Sequence, residues 1–294
     1  MSIPLPNQKT ESARPVSPGR QTWRMFCRNR AALLGLGMLV VIIAITALGP
    51  FLYSVNPDEM VWMPLTAPGQ SEYWFGTDFV GRDILAGLIN GGRVTLTVGF
   101  VAALLTIVIG VTVGALAGFY GGRVDTMLMK VTEFFQVLPH LLLAMVVVML
   151  FSSTMTTIAV AIGVVSWTGT ARLTRAEFLR LRELDYVTAE RSIGAGNRRI
   201  IWSVILPNAA PPLIVSSALS VGTAILFEAG LSFLGLSDPN TMSWGRMIGA
   251  NRPYILEAWW AVTLPGLAIF MTVLAISLIG DGLNDAMNPK LRQR

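Results

Sequence analysis

The sequence is poor in the residue types that most site chemistry requires. Among its 294 residues there is one cysteine, Cys27, and one histidine, His140. An intramolecular disulfide is therefore excluded, and so is a zinc site of the metalloprotease kind, which needs paired histidines with a glutamate. Only three lysines occur, Lys9, Lys130 and Lys290, and none follows a glycine. A Gly-Lys phosphate loop cannot be built, so the chain does not bind ATP that way. Paired acids inside an apolar run, the requirement of an intramembrane aspartyl protease, are missing as well. Charge itself is scarce: 13% of residues are charged and 53% are hydrophobic, too apolar a balance for a water-soluble domain of this length.

What is present is a succession of long apolar runs, which reads as an all-α integral membrane protein. Six spans are expected, at residues 31–52, 94–119, 134–151, 158–176, 209–231 and 261–280, most near the ~20 residues that cross a bilayer. Nearly thirty polar, Pro-rich and basic residues precede the first run, unlike a cleaved signal. The expected organisation is a cytoplasmic tail over 1–30, a first span with an external segment over 31–93, a core over 94–283 and a cytoplasmic tail over 284–294. Gly110, Gly114 and Gly118 repeat every four residues, a stripe along which another helix backbone can approach closely. Pro139 is expected to kink the third span, and Pro207, Pro211 and Pro212 to bend the start of the fifth. Trp62, Tyr73 and Trp74 in the segment after the first span are candidates for the membrane interface. Counting Lys and Arg on alternate sides gives eighteen against four, which places both termini inside. The net charge of +5 then reflects topology and not nucleic-acid binding.

Between the fourth and fifth spans lies a polar island, LDYVTAERSIGAGNRRIIWSVILPN, from Leu184 to Asn208. Tyr186, Ala189 and Ile193 share one helical face, and Gly194, Ala195 and Gly196 form a stop on which a helix ends. The residues allow two readings, a short helix presenting an apolar stripe or a basic loop that anchors the flanking spans. Glu228 is the one acid well inside an apolar run, and intramembrane ionisable groups face the bundle interior or a water-filled path. Both a structural role and a place on a substrate path or gate are open to it. His140 is read as a helix-end residue without a function.

The island resembles the cytoplasmic signature of permease subunits of binding-protein-dependent ABC importers, Glu-Ala-Ala, three residues, Gly, nine residues, Ile, one residue, Leu-Pro. Thr188, Ala189 and Glu190 occupy the triplet, followed by Gly194, Val204, Leu206 and Pro207 at matching distances. Thr188 stands where the pattern has Glu, and Glu190 where it has Ala. Further blocks look like those of the dipeptide, oligopeptide and nickel group: FGTDFVGRD at 75–83, AGFYGGRVD at 117–125, ILPNAAPPLIV at 205–215, EAGLSFLGL at 228–236, SWGRM at 243–247 and IGDGLNDAMNPKLR at 279–292.

The resemblance implies the ABC type I importer permease fold in a bacterial or archaeal cytoplasmic membrane. It implies a coupling helix at about 185–194 docked on an ATPase through Tyr186, Thr188, Ala189, Glu190, Ile193, Gly194, Leu206 and Pro207. The implied partners are two ATP-binding subunits that hydrolyse ATP with Mg, a second homologous permease and an extracytoplasmic solute-binding protein; this chain itself binds no cofactor and is no enzyme. The expected cargo is a di- or oligopeptide, with nickel or another small solute as the alternative. A stand-alone secondary transporter is the rival class, against which stands the shortage of intramembrane ionisable residues and of visible internal repeats.

Overall fold

A computed structural model describes residues 18–287, so the first seventeen residues of the expected N-terminal tail, and Lys290, Arg292 and Arg294 of the C-terminal one, lie outside the described residues. The elements are helical, as backbone groups in a bilayer demand; pairing of strand type is confined to isolated bridges at Met60–Arg82 and Thr77–Asp83. The chain opens with α1 (Pro18–Arg28) and α2 (Arg30–Leu52). Part of the expected tail is thus a helix docked on the core. Phe26 and Ala32 are buried with Ala286, and Asn29, whose side chain caps α2, also donates to Asp285 at 3.1 Å.

The second span begins ten residues earlier than hydropathy suggests. Asp83 caps α3 (Ile84–Tyr120) by accepting from the Leu85 and Ala86 amides, and the 37-residue helix runs about 55 Å, well beyond the hydrocarbon thickness. The segment before it folds into a compact structure of its own. Asp78 Oδ1 accepts from the amides of Val80 and Arg82, each at 2.8 Å, and Tyr53 donates to Asp83 at 2.7 Å. In this segment Trp62 and Trp74 are exposed and Tyr73 is half-buried.

The glycine stripe is where α3 meets α6 (Met155–Arg182). A Cβ on Gly110 would lie 2.6 Å from Thr170 Cβ, on Gly114 2.3 Å from the Ala171 carbonyl, and on Gly118 2.6 Å from Phe178 Cβ. Close backbone approach, with Gly163 of α6 returning the favour against Leu105, builds the most intimate helix pair of the molecule.

Gly121 and Gly122, both at positive φ, turn the chain into α4 (Gly122–Val137). The expected third span is in fact broken: α5 (His140–Phe151) leaves α4 at 87°, with Leu138 and Pro139 at the corner. Proline restricts the residue before it to extended backbone, and Leu138 sits at ψ 134°.

After α6 come the short α7 (Asp185–Ser192) and α8 (Asn197–Arg199). A π-helical turn (Ile200–Ile205) leads directly into α9 (Leu206–Phe233). The fifth span therefore starts at Asn197, and the second half of the polar island is helix and not loop. The wide turn sits just upstream of Pro207, Pro211 and Pro212, where proline removes helical donors. The segment between the last two spans carries α10 (Trp244–Asn251) before α11 (Trp259–Met287).

Among the described residues four helical runs are long and apolar enough to cross a membrane: α2, α3, Asn197–Phe233 and α11, with the bent α4–α5 pair as a fifth. The expected count of six is not reached by length and composition, because α6 carries threonines and arginines along the surface it buries or turns toward α4.

Candidate functional site

The island folds into a small lever whose base is held by one residue that its pattern did not reveal. Val187 is fully buried in a cluster with Phe119, Phe178, Leu181, Ile200 and Ile205, so α7 is nailed to the ends of α3, α6 and the π-turn. Its only signal in the sequence is a β-branched residue between two polar neighbours. Arg191 reinforces the seat by lying over the Phe119 ring at 5.6 Å.

The opposite face of α7 is free in this chain. Tyr186 is 41% exposed and Ile193 77% exposed, with Ala189 and Thr188 open beside them. The helix ends in a left-handed glycine cap: Gly194 sits at φ +86°, its amide donates to Arg191 O at 3.0 Å and that of Ala195 to Glu190 O at 3.0 Å. No heavy atom lies within 4 Å of where a Gly194 Cβ would stand, so the conformation and not space selects glycine. The remaining signature residues separate. Glu190 turns toward Arg199 at 3.9 Å, Leu206 packs inward on the Val187 cluster, and Pro207 is exposed in the first turn of α9. Leu206 thus belongs to the support, while Pro207 stays open to the outside of the helix.

Glu228 is 2% exposed, inside the packing and not on an open path. Ser243 donates to its Oε1 at 2.7 Å and Ser232 at 2.8 Å, while Thr95 donates to Oε2 at 3.5 Å. Thr95 in turn accepts from the Trp244 amide at 3.1 Å, and Ser243 caps α10. The carboxylate is therefore the hub that fixes α10 to α3 and α9.

A polar groove that sequence reasoning missed runs through the middle of the spans. Thr106 of α3, Ser166 and Thr170 of α6, and Ser216, Ser220 and Thr223 of α9 line a cavity of about 210 Å³. On each helix these positions fall near the centre of the apolar run, and 216, 220 and 223 recur at helical spacing on one face. Packing thus gathers hydroxyls of three helices at one depth. Gly169 is shared with a second cavity of about 710 Å³, lined by Glu133, Gln136, Arg172 and Arg175. Arg172 donates to Gln136 at 3.0 Å there. A cavity of uncharged hydroxyls and one with charges of both signs thus share a wall at Gly169.

Comparison with known proteins agrees with this geometry. Residues 110–293 match the family described as binding-protein-dependent transport system inner membrane component, and residues 17–68 match the N-terminal TM domain of oligopeptide transport permease C. The chain is 40% identical over 283 residues to the di/tripeptide transport system permease protein DppC of Pseudomonas aeruginosa, covering 94% of this chain and 93% of that protein. It is 40% identical over 300 residues to the dipeptide transport system permease protein DppC of Escherichia coli K12, covering all of both. Among solved structures, a chain of the inward facing MetNI methionine ABC transporter superposes with a TM-score of 0.55 at 21% identity. That match covers 69% of this chain and 97% of the other, and shows a shared fold.

Proposed function

Since the chain belongs to the family of inner membrane components of binding-protein-dependent transport systems and is a multi-pass permease of an ABC importer, with its ATPase on a separate subunit, we propose that its cargo is a di- or oligopeptide. Relatives named for di- and tripeptides support that cargo, and the hydroxyl groove adjoining a vestibule with both charge signs is the observation in this chain that carries it. A peptide is a zwitterion with hydrogen-bonding backbone. Hydroxyls accept and donate to that backbone without trapping either end, while Arg172 and Glu133 suit a carboxylate and an ammonium.

In this reading α6 is the fourth of six spans, its polar stripe covered by α3 or facing the path, and both termini are cytoplasmic. The lever α7 docks Tyr186, Ala189 and Ile193 into one of two ATPase subunits. Closure of those subunits on ATP and Mg displaces α7, and the Val187 cluster passes the motion to α3, α6 and α9. Packed bundles have discrete arrangements, so the groove switches sides rather than widening by degrees. A second, homologous permease supplies the facing half of the path, and a solute-binding protein delivers the peptide.

The test is a reconstituted importer in which Cys27 is replaced by serine and single cysteines stand at Ser216, Ser220 or Thr223. Dipeptide should protect these positions from a small hydrophilic maleimide, and their modification should stop ATP-driven dipeptide uptake. Labelling that peptide does not slow, with uptake intact after modification, would remove the groove from the path.

A further inference from the structure

The other side of α9 carries a second cavity of different character. Ala218 and Val221 point roughly opposite to Ser216, Ser220 and Thr223, since each residue turns the helix by about 100°. With Leu39 and Ile43 of α2, Leu96 and Phe100 of α3 and the aliphatic residues of α11 they enclose about 560 Å³. This is the size of a site that buries most of a small ligand.

The cavity lies beside the middle of α2, between two close crossings nearer its ends, where Leu39 and Ile42 pack against the core and remain only partly buried. Gly35 lies against α11, where a Cβ would come within 2.7 Å of the Ala275 carbonyl. At the other end Gly49 and Thr46 lie against Ile89 and Gly92 of α3. Between these crossings the helices diverge and leave a wedge. Its two α2 and α3 hydroxyls are already satisfied, Thr46 on the Ile43 carbonyl and Thr97 on the Arg93 carbonyl, so the wall offers an occupant only apolar surface.

The one charged residue of the lining is Arg93, at the rim nearest the folded segment before α3. It is exposed and takes part in none of the ion pairs found among the described residues. A cation with no protein counter-ion, over an apolar wedge in a membrane span, is complementary to one kind of molecule: an amphiphile with an anionic head and a hydrocarbon tail.

We propose that this wedge is a binding site for an anionic phospholipid, one acyl chain lying between α2, α3, α9 and α11 and the phosphate on the Arg93 guanidinium. The lipid fills the gap that α2 leaves and seats α2 on the moving bundle. With the orientation given above, it is drawn from the outer leaflet; the site itself does not depend on the cargo.

The experiment uses the complete importer in phosphatidylcholine nanodiscs doped with phosphatidylglycerol that carries a diazirine in its acyl chain. Illumination should label peptides of this chain containing Leu39, Ile43 or Phe100. Ala218→Trp fills the wedge and should lower that labelling severalfold, and Ala47→Trp at the exposed rim is the second filling variant should the first not assemble. Arg93→Gln should lower labelling by phosphatidylglycerol by about three- to tenfold, the range of a charge-assisted hydrogen bond partly open to water, while Arg93→Lys keeps most of it. Labelling spread evenly over the lipid-facing side of α2 and indifferent to these variants overturns the proposal, as does a crosslink from Phe100 to the partner permease in place of lipid. Dipeptide uptake is scored separately: lost cargo specificity with intact labelling removes the peptide reading and leaves this one standing.

Discussion

Arg175 clasps Asp125 in a two-pronged ion pair, Nη2 to Oδ2 at 2.6 Å, tying the first turn of α4 to the end of α6 beside the charged vestibule. The fork geometry of guanidinium on carboxylate makes it the strongest polar tie across that interface. It also holds the first arm of the broken span, which turns by 87° at Leu138 and Pro139.

Asp125→Asn should therefore loosen α4 without unfolding the core, at about 1 kcal/mol because the pair is partly open to water. Arg175→Gln should have nearly the same effect, and the double variant little more. Thermal melting of the purified complex measures this, and strictly additive losses would show that the two residues act separately.

The α3–α6 stripe tolerates no added bulk. Gly114→Ala places a carbon 2.3 Å from the Ala171 carbonyl and is expected to cost about 1–3 kcal/mol, whereas Gly169→Ala, with no heavy atom within 4 Å, should be stable. Gly114→Leu should abolish accumulation of the chain in membranes. Normal expression of Gly114→Leu would mean that the two helices can part without harm.

At the lever, Gly194→Arg imposes about 1–2 kcal/mol of left-handed strain on a turn that lies outside the spans, so the chain should insert and fold. Gly194→Arg and Ala189→Arg are expected to lose ATPase co-purification or to leave ATP hydrolysis uncoupled from uptake. Arg191→Ala should be milder, losing only the stacking on Phe119, and Val187→Asp should unseat α7 altogether. Full uptake by both arginine variants would return the island to the role of a basic anchor.

Glu228→Gln keeps an acceptor for Ser232 and Ser243 and should assemble and transport close to the parent. Glu228→Leu strands buried hydroxyls, each at a cost of about 1–3 kcal/mol, and should fail in assembly before any change in cargo preference is seen. The readout is complex yield against uptake per assembled complex; a transport defect in fully assembled Glu228→Gln would put the residue back on the path.

Much of this was legible in the chain itself. Apolar run length marked membrane helices, because a bilayer demands about twenty apolar residues whatever surrounds them. The repeat of Gly110, Gly114 and Gly118 announced a backbone contact, and the positive φ of Gly194 was implied by a glycine closing a short amphipathic stretch. These features are local: each rests on residues within a turn or two of one another, where 3.6-residue periodicity and steric limits act without help from the rest of the fold.

Other features were not local and could not be read that way. Hydropathy started the second span at Val94 because it does not see Asp83 as a cap, and while Pro139 announced a kink in 134–151, nothing local gave its 87° size. A lone Glu in an apolar run has the same pattern whatever surrounds it; only packing brings Thr95, Ser232 and Ser243 to Glu228. The groove is the plainest case. Six hydroxyl residues scattered over some 118 positions from Thr106 to Thr223 carry no signal as a string, since serine and threonine are common in membrane helices and satisfy themselves on the preceding turn. They became a site when close packing of α3 on α6 brought three helices to one depth and one face. Periodicity within a helix is a property of the chain; which faces of different helices meet depends on packing between segments far apart in it.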